Sequence, residues 1–126
     1  EHYDRRLAIQ LISNDFVVIF TAGTGNPFFT TDSAGCLRAI ETEADIMLKA
    51  TRVDGVYSDD PEKVSNAIFY SKVSYDEAIQ KNLKVMDATA LTLARDHRLP
   101  LKVFNINHKD ALSSIACGEE IGTLIS

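Results

Sequence analysis

The stretch that decides the fold is Phe16-Val17-Val18-Ile19-Phe20-Thr21-Ala22-Gly23-Thr24-Gly25-Asn26-Pro27-Phe28-Phe29-Thr30-Thr31-Asp32. Its first five residues are apolar, β-branched or aromatic, which predicts a strand buried on both faces, as in a parallel sheet. A loop with two glycines and a proline follows, and a helical pattern begins near Asp32. A strand, a glycine-rich loop and a helix in succession direct backbone N–H groups at an anion. The stretch therefore predicts the mouth of a phosphate site.

Around this stretch, length and composition are those of one soluble globular domain, with 126 residues, 45% hydrophobic and 25% charged. No apolar run approaches the roughly 20 residues of a membrane-spanning helix, and no secretory signal pattern opens the chain. The net charge of −5 argues against nucleic-acid binding, which relies on basic stripes. The chain begins at Glu1 without an initiator methionine, so we expect a piece of a longer protein.

Helical and strand patterns alternate along the chain, which predicts a layered α/β fold. The helices are expected at 4–13, 32–44, 74–81, 87–97 and 110–117. The strands are expected at 16–20, 46–50, 68–70, 101–106 and 122–126. Cys36 and Cys117 fall in helical apolar patterns and are predicted to be buried free thiols rather than a disulfide or metal pair.

The loop itself matches neither of two common phosphate-binding patterns. No Gly-Lys-Ser/Thr triplet follows Gly23-Thr24-Gly25-Asn26-Pro27, and Phe28 stands where the dinucleotide fingerprint has its third glycine. Hydroxyl and amide side chains can nevertheless donate hydrogen bonds to phosphate or ribose oxygens, namely Thr24, Asn26, Thr30 and Thr31. Phe28 and Phe29 can lie against a base or a ribose. The alternative is an ordinary tight turn with both phenylalanines folded into the core.

Two aspartates allow both a structural and a functional interpretation. Asp32 follows the loop directly, and Asp87 ends the segment Lys84-Val85-Met86-Asp87 before a helical pattern. Both suit the start of a helix, where a carboxylate accepts hydrogen bonds from backbone N–H groups. A carboxylate beside a phosphate site would repel its ligand. The functional interpretation of Asp32 therefore requires a Mg²⁺ ion or a lysine in between.

A second loop, Thr51 to Pro61, follows the predicted strand 46–50. Asp54-Gly55 and Asp60-Pro61 are turn signals, and a plain surface loop is one interpretation. However, Thr51 follows the carboxyl end of an apolar strand, as Gly23 does, and ligands bind at that edge of open α/β sheets. Two such loops side by side predict two ligands, or the two ends of one reaction. No histidine or cysteine spacing indicates a zinc site or a nucleophile.

Four segments together resemble bacterial uridylate kinases, which belong to the amino-acid-kinase fold family. They are Thr21 to Asp32, Lys49 to Tyr57, Lys84 to Asp87 and Phe104-Asn105. The string from Gly23 to Asp32 distinguishes this family from relatives that phosphorylate amino acids. The resemblance extends from Arg5 to Ile125 and covers the C-terminal half of the family's protein. It implies a three-layer αβα sandwich with a largely parallel central sheet, of which residues 1–126 form one piece.

The resemblance also implies a role for each part of the site. The acceptor nucleotide UMP would contact Thr24, Gly25, Asn26, Pro27, Phe28, Phe29, Thr30 and Thr31. ATP would contact Thr51, Val53, Gly55, Val56, Tyr57 and Asp60. Asp32 and Asp87 would be the catalytic acids, organising a lysine of the family's first strand and the Mg²⁺ bound with ATP. No residue of the chain is predicted to bind the metal directly.

The implied activity is transfer of the γ-phosphoryl group of ATP to UMP, which gives UDP for pyrimidine nucleotide biosynthesis in the cytoplasm. The resemblance implies a homohexamer with GTP or UTP as effectors, and neither nucleic acid nor membrane is expected as a partner. Two alternatives stay open: a catalytically inactive nucleotide-binding or assembly piece, and a kinase of the same fold that phosphorylates a carboxylate or carbamate. Catalysis by these 126 residues alone is not expected, since the first-strand lysine belongs to the other half of the family's protein.

Overall fold

The computed structural model describes residues 2–126. The helices of this part of the chain are α1 (Arg5–Ile12), α2 (Thr31–Glu41), α3 (Tyr75–Gln80), α4 (Ala88–Asp96) and α5 (Ala111–Ala116). Its strands are β1 (Met47–Thr51), β2 (Val56–Tyr57), β3 (Phe69–Tyr70), β4 (Lys72–Val73), β5 (Leu101–Asn105) and β6 (Thr123–Ile125). All five predicted helices are therefore present, and so are all predicted strands except the first.

The main sheet has the strand order β1-β5-β6-β4. The pairs β1–β5 and β4–β6 are parallel, whereas β5 and β6 are antiparallel, so the sheet is largely parallel as predicted. Strands β2 and β3 form a separate antiparallel pair. Among residues 2–126, no helix combines the length and the apolar content that crossing a membrane requires.

The central strand β5 divides the core into two layers because successive side chains of a strand point to opposite faces. Leu101 and Val103 join a cluster with buried residues of α2, α3 and α4. Phe104 faces the other way and packs with Ala111 and Ile115 of α5. The sheet thus lies between helices on both faces, and the predicted three-layer αβα architecture is confirmed.

Side-chain caps define where the helices that carry the predicted site begin. Asp4 caps α1, Thr30 caps α2, Ser74 caps α3 and Asp87 caps α4, each accepting a hydrogen bond from a backbone N–H of the first turn. Asp32 lies in the first turn of α2, where the helix dipole favours a carboxylate. The structural interpretations of both site aspartates are therefore confirmed.

Two predictions about buried segments are wrong. Phe16 to Phe20 forms no strand in the described chain, and Val17 and Ile19 are 92% and 83% exposed. An apolar, β-branched run suits a strand, but a strand also needs a neighbour to pair with, and no strand of residues 2–126 pairs with this run. Cys117 is exposed because it caps the C-terminus of the short helix α5, whereas Cys36 is fully buried as predicted.

Candidate functional site

An ion pair joins α2 to the edge strand of the sheet at the centre of the candidate site. The Nζ atom of Lys49, on β1, lies 2.6 Å from Oδ2 of Asp32 and donates a second hydrogen bond of 2.9 Å to the carbonyl of Val85. The Asp32 and Lys49 side chains are 27% and 21% exposed, so the pair can be reached by a ligand. The other carboxylate oxygen, Asp32 Oδ1, makes no hydrogen bond within residues 2–126.

Sequence reasoning required a cation beside Asp32 but did not identify Lys49 as that cation. The available signal was a lysine inside the apolar run of β1, where side chains are expected to be buried. A lysine at such a position needs a partner for its ammonium group, and an acidic residue on a neighbouring element is the usual one.

Asp87 makes a different set of contacts. The hydroxyl group of Thr30, the N-cap of α2, donates a short hydrogen bond to Asp87 Oδ2. Asp87 Oδ1 accepts from the backbone N–H of Ala90 at 2.9 Å and more weakly from Ser33 Oγ at 3.4 Å. One carboxylate thus fastens the N-terminal ends of α2 and α4 to each other, which sets the position of the loop that leads into α2.

The environment of Asp87 keeps its carboxylate ionised. Burial raises its pKa, but the hydrogen bonds from Thr30, Ala90 and Ser33 outweigh burial and hold the pKa below its ordinary value. Cys36, which is on α2 and fully buried, shows the opposite shift. Burial, followed by the charges of Asp32 and Asp87, raises the pKa of its thiol to about 11. The thiol therefore stays protonated, and we assign it to the core rather than to the chemistry.

The predicted acceptor loop is exposed and holds itself in shape with local bonds. Thr24 Oγ1 accepts from the backbone N–H of Asn26 at 3.1 Å, and the Asn26 amide donates to the Thr24 carbonyl at 3.3 Å. Gly23 and Gly25 have positive φ angles of 62° and 73°, which glycine adopts without strain. Phe28 also has a positive φ, of 70°, and its side chain is 103% exposed.

The position of the phenylalanines decides between two interpretations of the loop. Phe28 and Phe29 are both exposed, so the alternative of a turn with both rings in the core is wrong. A groove of about 640 Å³ lies between the loop and the helices α2 and α4. Its lining includes Thr24, Asn26 and Phe29 but neither Asp32 nor Lys49. Three of the residues expected to contact UMP thus share one groove, and the ion pair is not part of its lining.

The second predicted loop begins at the carboxyl end of β1, two residues after Lys49. The Thr51 hydroxyl donates to the Val53 carbonyl at 2.8 Å and accepts from the Val53 N–H at 3.2 Å, which closes the turn. Lys49 and Thr51 lie on the same face of β1 because side chains two apart share a face. Lys49, which forms the ion pair, and Thr51, which begins the second loop, are therefore neighbours on one face of the sheet.

Other residues of the second loop divide between core and surface. Gly55 and Val56 are buried, and the Val56 N–H donates to Thr123 Oγ1 at 2.8 Å. Tyr57 is half-buried and packs edge-on against Phe69. Asp60 is bound by Lys63 at 3.0 Å and by the Glu62 N–H, and these bonds hold its pKa below the ordinary value.

The ends of β1 and β5 lie side by side, and polar side chains connect the loops that follow them. Asp54 Oδ1 accepts from Asn105 Nδ2 at 3.0 Å and lies 2.7 Å from Nε2 of His108. The Asn105 hydrogen bond, followed by the His108 hydrogen bond, lowers the pKa of Asp54. Polar side chains thus lie at the carboxyl edge of the parallel pair β1–β5.

The described residues offer limited metal-binding capacity. Within residues 2–126 there is no group of three or more His, Cys, Asp or Glu side chains that could hold a metal ion. Mg²⁺ in phosphoryl-transfer sites takes one or two carboxylates and completes its shell with substrate phosphates and water. The Oδ1 atom of Asp32 suits such a site, whereas both oxygens of Asp87 already accept hydrogen bonds.

A family model, that of the amino acid kinase family, matches residues 1–105. The uridylate kinase of Buchnera aphidicola subsp. Schizaphis graminum is 61% identical over 99% of this chain and 52% of the relative. That of Pseudoalteromonas translucida is 62% identical over 98% of the chain and 50% of the relative. The chain thus spans about half the length of the curated relatives it matches.

Solved structures give the same result at the level of the fold. The crystal structure of UMP kinase from Bacillus anthracis superposes with a TM-score of 0.97 at 42% identity, over 100% of this chain and 52% of that one. The uridylate kinase from Archaeoglobus fulgidus superposes with a TM-score of 0.77 at 28% identity, over 98% of this chain and 58% of that one. The described arrangement of helices, sheet and loops is therefore shared with these kinases.

Proposed function

The chain belongs to the amino acid kinase family, and from this premise we propose that the full-length protein transfers the γ-phosphoryl group of ATP to UMP, giving UDP and ADP. The observation that carries the proposal is the identity of about 60% with curated uridylate kinases over nearly the whole chain. The exposed loop with the string Gly23 to Asp32 supports UMP as the acceptor, and its groove offers room for a nucleoside.

In this proposal the acceptor loop and the helix α2 bind and orient the UMP phosphate. The N-terminal end of α2 presents backbone N–H groups, and the Thr31 hydroxyl adjoins it. The Thr30 hydroxyl already donates to Asp87, so the part of Thr30 is to hold the loop in place. An acceptor phosphate is already ionised at neutral pH, so no strong general base is needed and positioning provides most of the rate. The exposed rings of Phe28 and Phe29 are proposed to lie against the base or ribose.

The second loop is proposed to hold ATP. Thr51, Val53, Gly55, Val56, Tyr57 and Asp60 are the residues assigned to it. Since Gly55 and Val56 are buried, their part is to shape the turn, while the half-buried Tyr57 and Asp60 offer side chains at its surface. Mg²⁺ bound with ATP would neutralise the phosphate charge, and Asp32 is the residue that would face it.

In this proposal Asp32 and Asp87 have different roles. Asp32 faces the transferred group, whereas Asp87 acts through Thr30 and is therefore a positioning residue. We further propose a cytoplasmic enzyme of pyrimidine biosynthesis that assembles as a homohexamer and responds to GTP or UTP. The support for these features is the similarity to uridylate kinases and, for the location, a net charge and composition typical of soluble domains.

The test is a coupled assay of ADP release by the full-length protein, with UMP, CMP and N-acetylglutamate as acceptors. We expect turnover with UMP and little with the others. Turnover with N-acetylglutamate instead would establish a carboxylate kinase, and no turnover with any acceptor would establish a binding or assembly protein. Asp32→Asn should lower turnover with UMP by more than about 100-fold with the fold intact, comparable to loss of a transition-state donor.

A further inference from the structure

We propose that Lys49 is a positioning residue that neutralises Asp32 and fixes the orientation of its carboxylate, so that an acidic group can lie beside a phosphate site. The inference deepens the proposed function and rests on it only in taking a phosphorylated nucleotide as the ligand. By this inference the described chain itself provides a cation at the site, namely the ammonium group of Lys49. The lysine that the family resemblance supplies lies outside this chain.

The geometry of Lys49 supports this role. Its ammonium group is held by two acceptors on different elements, Asp32 Oδ2 of α2 at 2.6 Å and the Val85 carbonyl at 2.9 Å. These bonds use two of its three N–H donors and leave one. Among residues 2–126, no other cationic side chain lies within ion-pair distance of Asp32. Lys49 is thus the group in the described chain that balances the Asp32 charge.

The orientation of Asp32 follows from the same contact. With Oδ2 bound to Lys49, the carboxylate cannot rotate without losing a charge-assisted hydrogen bond, so Oδ1 keeps one direction. That oxygen has no other hydrogen bond within residues 2–126 and is the one able to accept a cation or a ligand donor. Lys49 itself is anchored in β1, a strand paired along its whole length with β5, so the anchor is rigid.

Asp87 cannot take the place of Asp32 in the ion pair with Lys49. Its oxygen atoms are taken by Thr30, Ser33 and the Ala90 N–H, and within residues 2–126 it forms no ion pair. Removing the Lys49 charge would therefore expose Asp32 as an uncompensated anion beside the phosphates. Repulsion between unit charges roughly 8 Å apart, at an effective dielectric of about 20 near a protein surface, weakens anion binding by about 30-fold.

The experiment measures ADP binding to the full-length protein by titration calorimetry, together with kcat and KM for UMP and ATP. ADP is the probe because every ATP-dependent kinase releases it, so the binding result stands whichever acceptor is used. Lys49→Gln removes the charge while keeping an amide donor for Asp32 and the Val85 carbonyl, and Lys49→Arg keeps the charge. A melting curve of each variant checks that it is folded.

Lys102→Gln is the matched control. Lys102 is the residue before Val103 on β5, and Val103 pairs with Lys49, so the Lys102 side chain lies on the opposite face of the same sheet. Within residues 2–126, the one hydrogen bond of its Nζ goes to the Glu119 carbonyl, at 3.4 Å. This change lowers the net charge of the chain by the same amount without touching Asp32, and we expect it to leave ADP binding unchanged.

We expect Lys49→Gln to weaken ADP binding by about 30-fold and to lower kcat, and Lys49→Arg to retain both in large part. The double variant Asp32→Asn/Lys49→Gln should recover ADP binding, because the charges balance again, but not kcat. Wild-type ADP binding and turnover in Lys49→Gln would overturn the proposal. A double variant that binds ADP no better than Lys49→Gln would also overturn it, since Lys49 would then act independently of Asp32. Absence of UMP turnover by the wild-type protein would refute the proposed function alone.

Discussion

Replacing Asp87 by alanine should destabilise the protein far more than a change at Asp32, because the two carboxylates have different partners. Asp87 caps α4 through the Ala90 N–H and fastens α2 through the Thr30 hydroxyl. Losing an N-cap costs about 1 kcal/mol. Losing a hydrogen bond to a charged group costs about 1.5–3 kcal/mol. The contacts of Ser33 are 3.4 and 3.5 Å long and add little. We therefore expect Asp87→Ala to lower the free energy of unfolding by about 2–4 kcal/mol.

The assay is urea unfolding of the full-length protein at neutral pH, followed by circular dichroism. If the free energy of unfolding falls by about 2 kcal/mol per M of urea, the unfolding midpoint should fall by about 1–2 M. Asp32→Asn should shift it much less, because a partly exposed ion pair contributes about 0–1 kcal/mol. Ser74→Ala is the matched control. Among residues 2–126, the Ser74 hydroxyl accepts one hydrogen bond, from the Glu77 N–H of its own helix α3, and contacts no second helix through a hydrogen bond.

The two variants differ in how much unfolding free energy they lose, and this difference measures the strength of the contact that Asp87 makes between α2 and α4. If Asp87→Ala loses no more stability than Ser74→Ala, the Asp87 carboxylate is a simple cap and does not fasten α2 to α4. A double-mutant cycle with Thr30→Val should give a coupling energy above about 1 kcal/mol. Additive effects of the two substitutions would contradict the contact even if each is destabilising.

The stabilising effect of Asp87 should also depend on pH in a defined direction. Its pKa in the folded protein lies below the ordinary value of 3.8, so below that pH the unfolded chain binds the proton more readily. The stabilisation is therefore complete above about pH 4 and is lost as the pH falls through the folded-state pKa. The stability difference between wild type and Asp87→Ala should narrow below that pH, and a constant difference would show that Asp87 does not titrate with folding.

Two further predictions test the packing around the site. Gly55→Ala should destabilise the protein by about 1–3 kcal/mol, because the added methyl group would lie 2.8 Å from Phe69 Cε2, 3.1 Å from the Thr123 backbone nitrogen and closer still to the Thr123 hydroxyl. A melting temperature equal to that of the wild type would disprove the clash. Iodoacetamide should modify Cys117, which is exposed, and leave Cys36 unmodified until unfolding, because Cys36 is fully buried and its thiol pKa is raised to about 11. Mass spectrometry of tryptic peptides would decide, and equal labelling of both thiols in the folded protein would contradict the burial.

Much of the fold could be predicted because it depends on local patterns. The caps at Asp4, Ser74 and Asp87 are visible as polar residues immediately before helical apolar stripes. Such signals involve residues within one turn of each other, so the sequence contains all the information they need. The exception is Phe16 to Phe20. Its apolar composition predicts a strand, but a strand also depends on a neighbour, and within residues 2–126 no strand pairs with this segment.

The candidate site was predictable in its parts but not in its assembly. The sequence by itself determined the loop chemistry of Gly23 to Asp32, the turn at Asp54-Gly55 and the need for a cation near Asp32. Only the tertiary structure decided which cation that is. Lys49 follows Asp32 by 17 residues and Val85 follows Lys49 by 36. Lys49 meets Asp32 because β1 packs beside α2, and it meets Val85 in the segment between α3 and α4. The same holds for Thr30 and Asp87, which are 57 residues apart in the chain. Local sequence sets what each side chain can do, but the distances between side chains on different elements arise only when sheet and helices pack into layers.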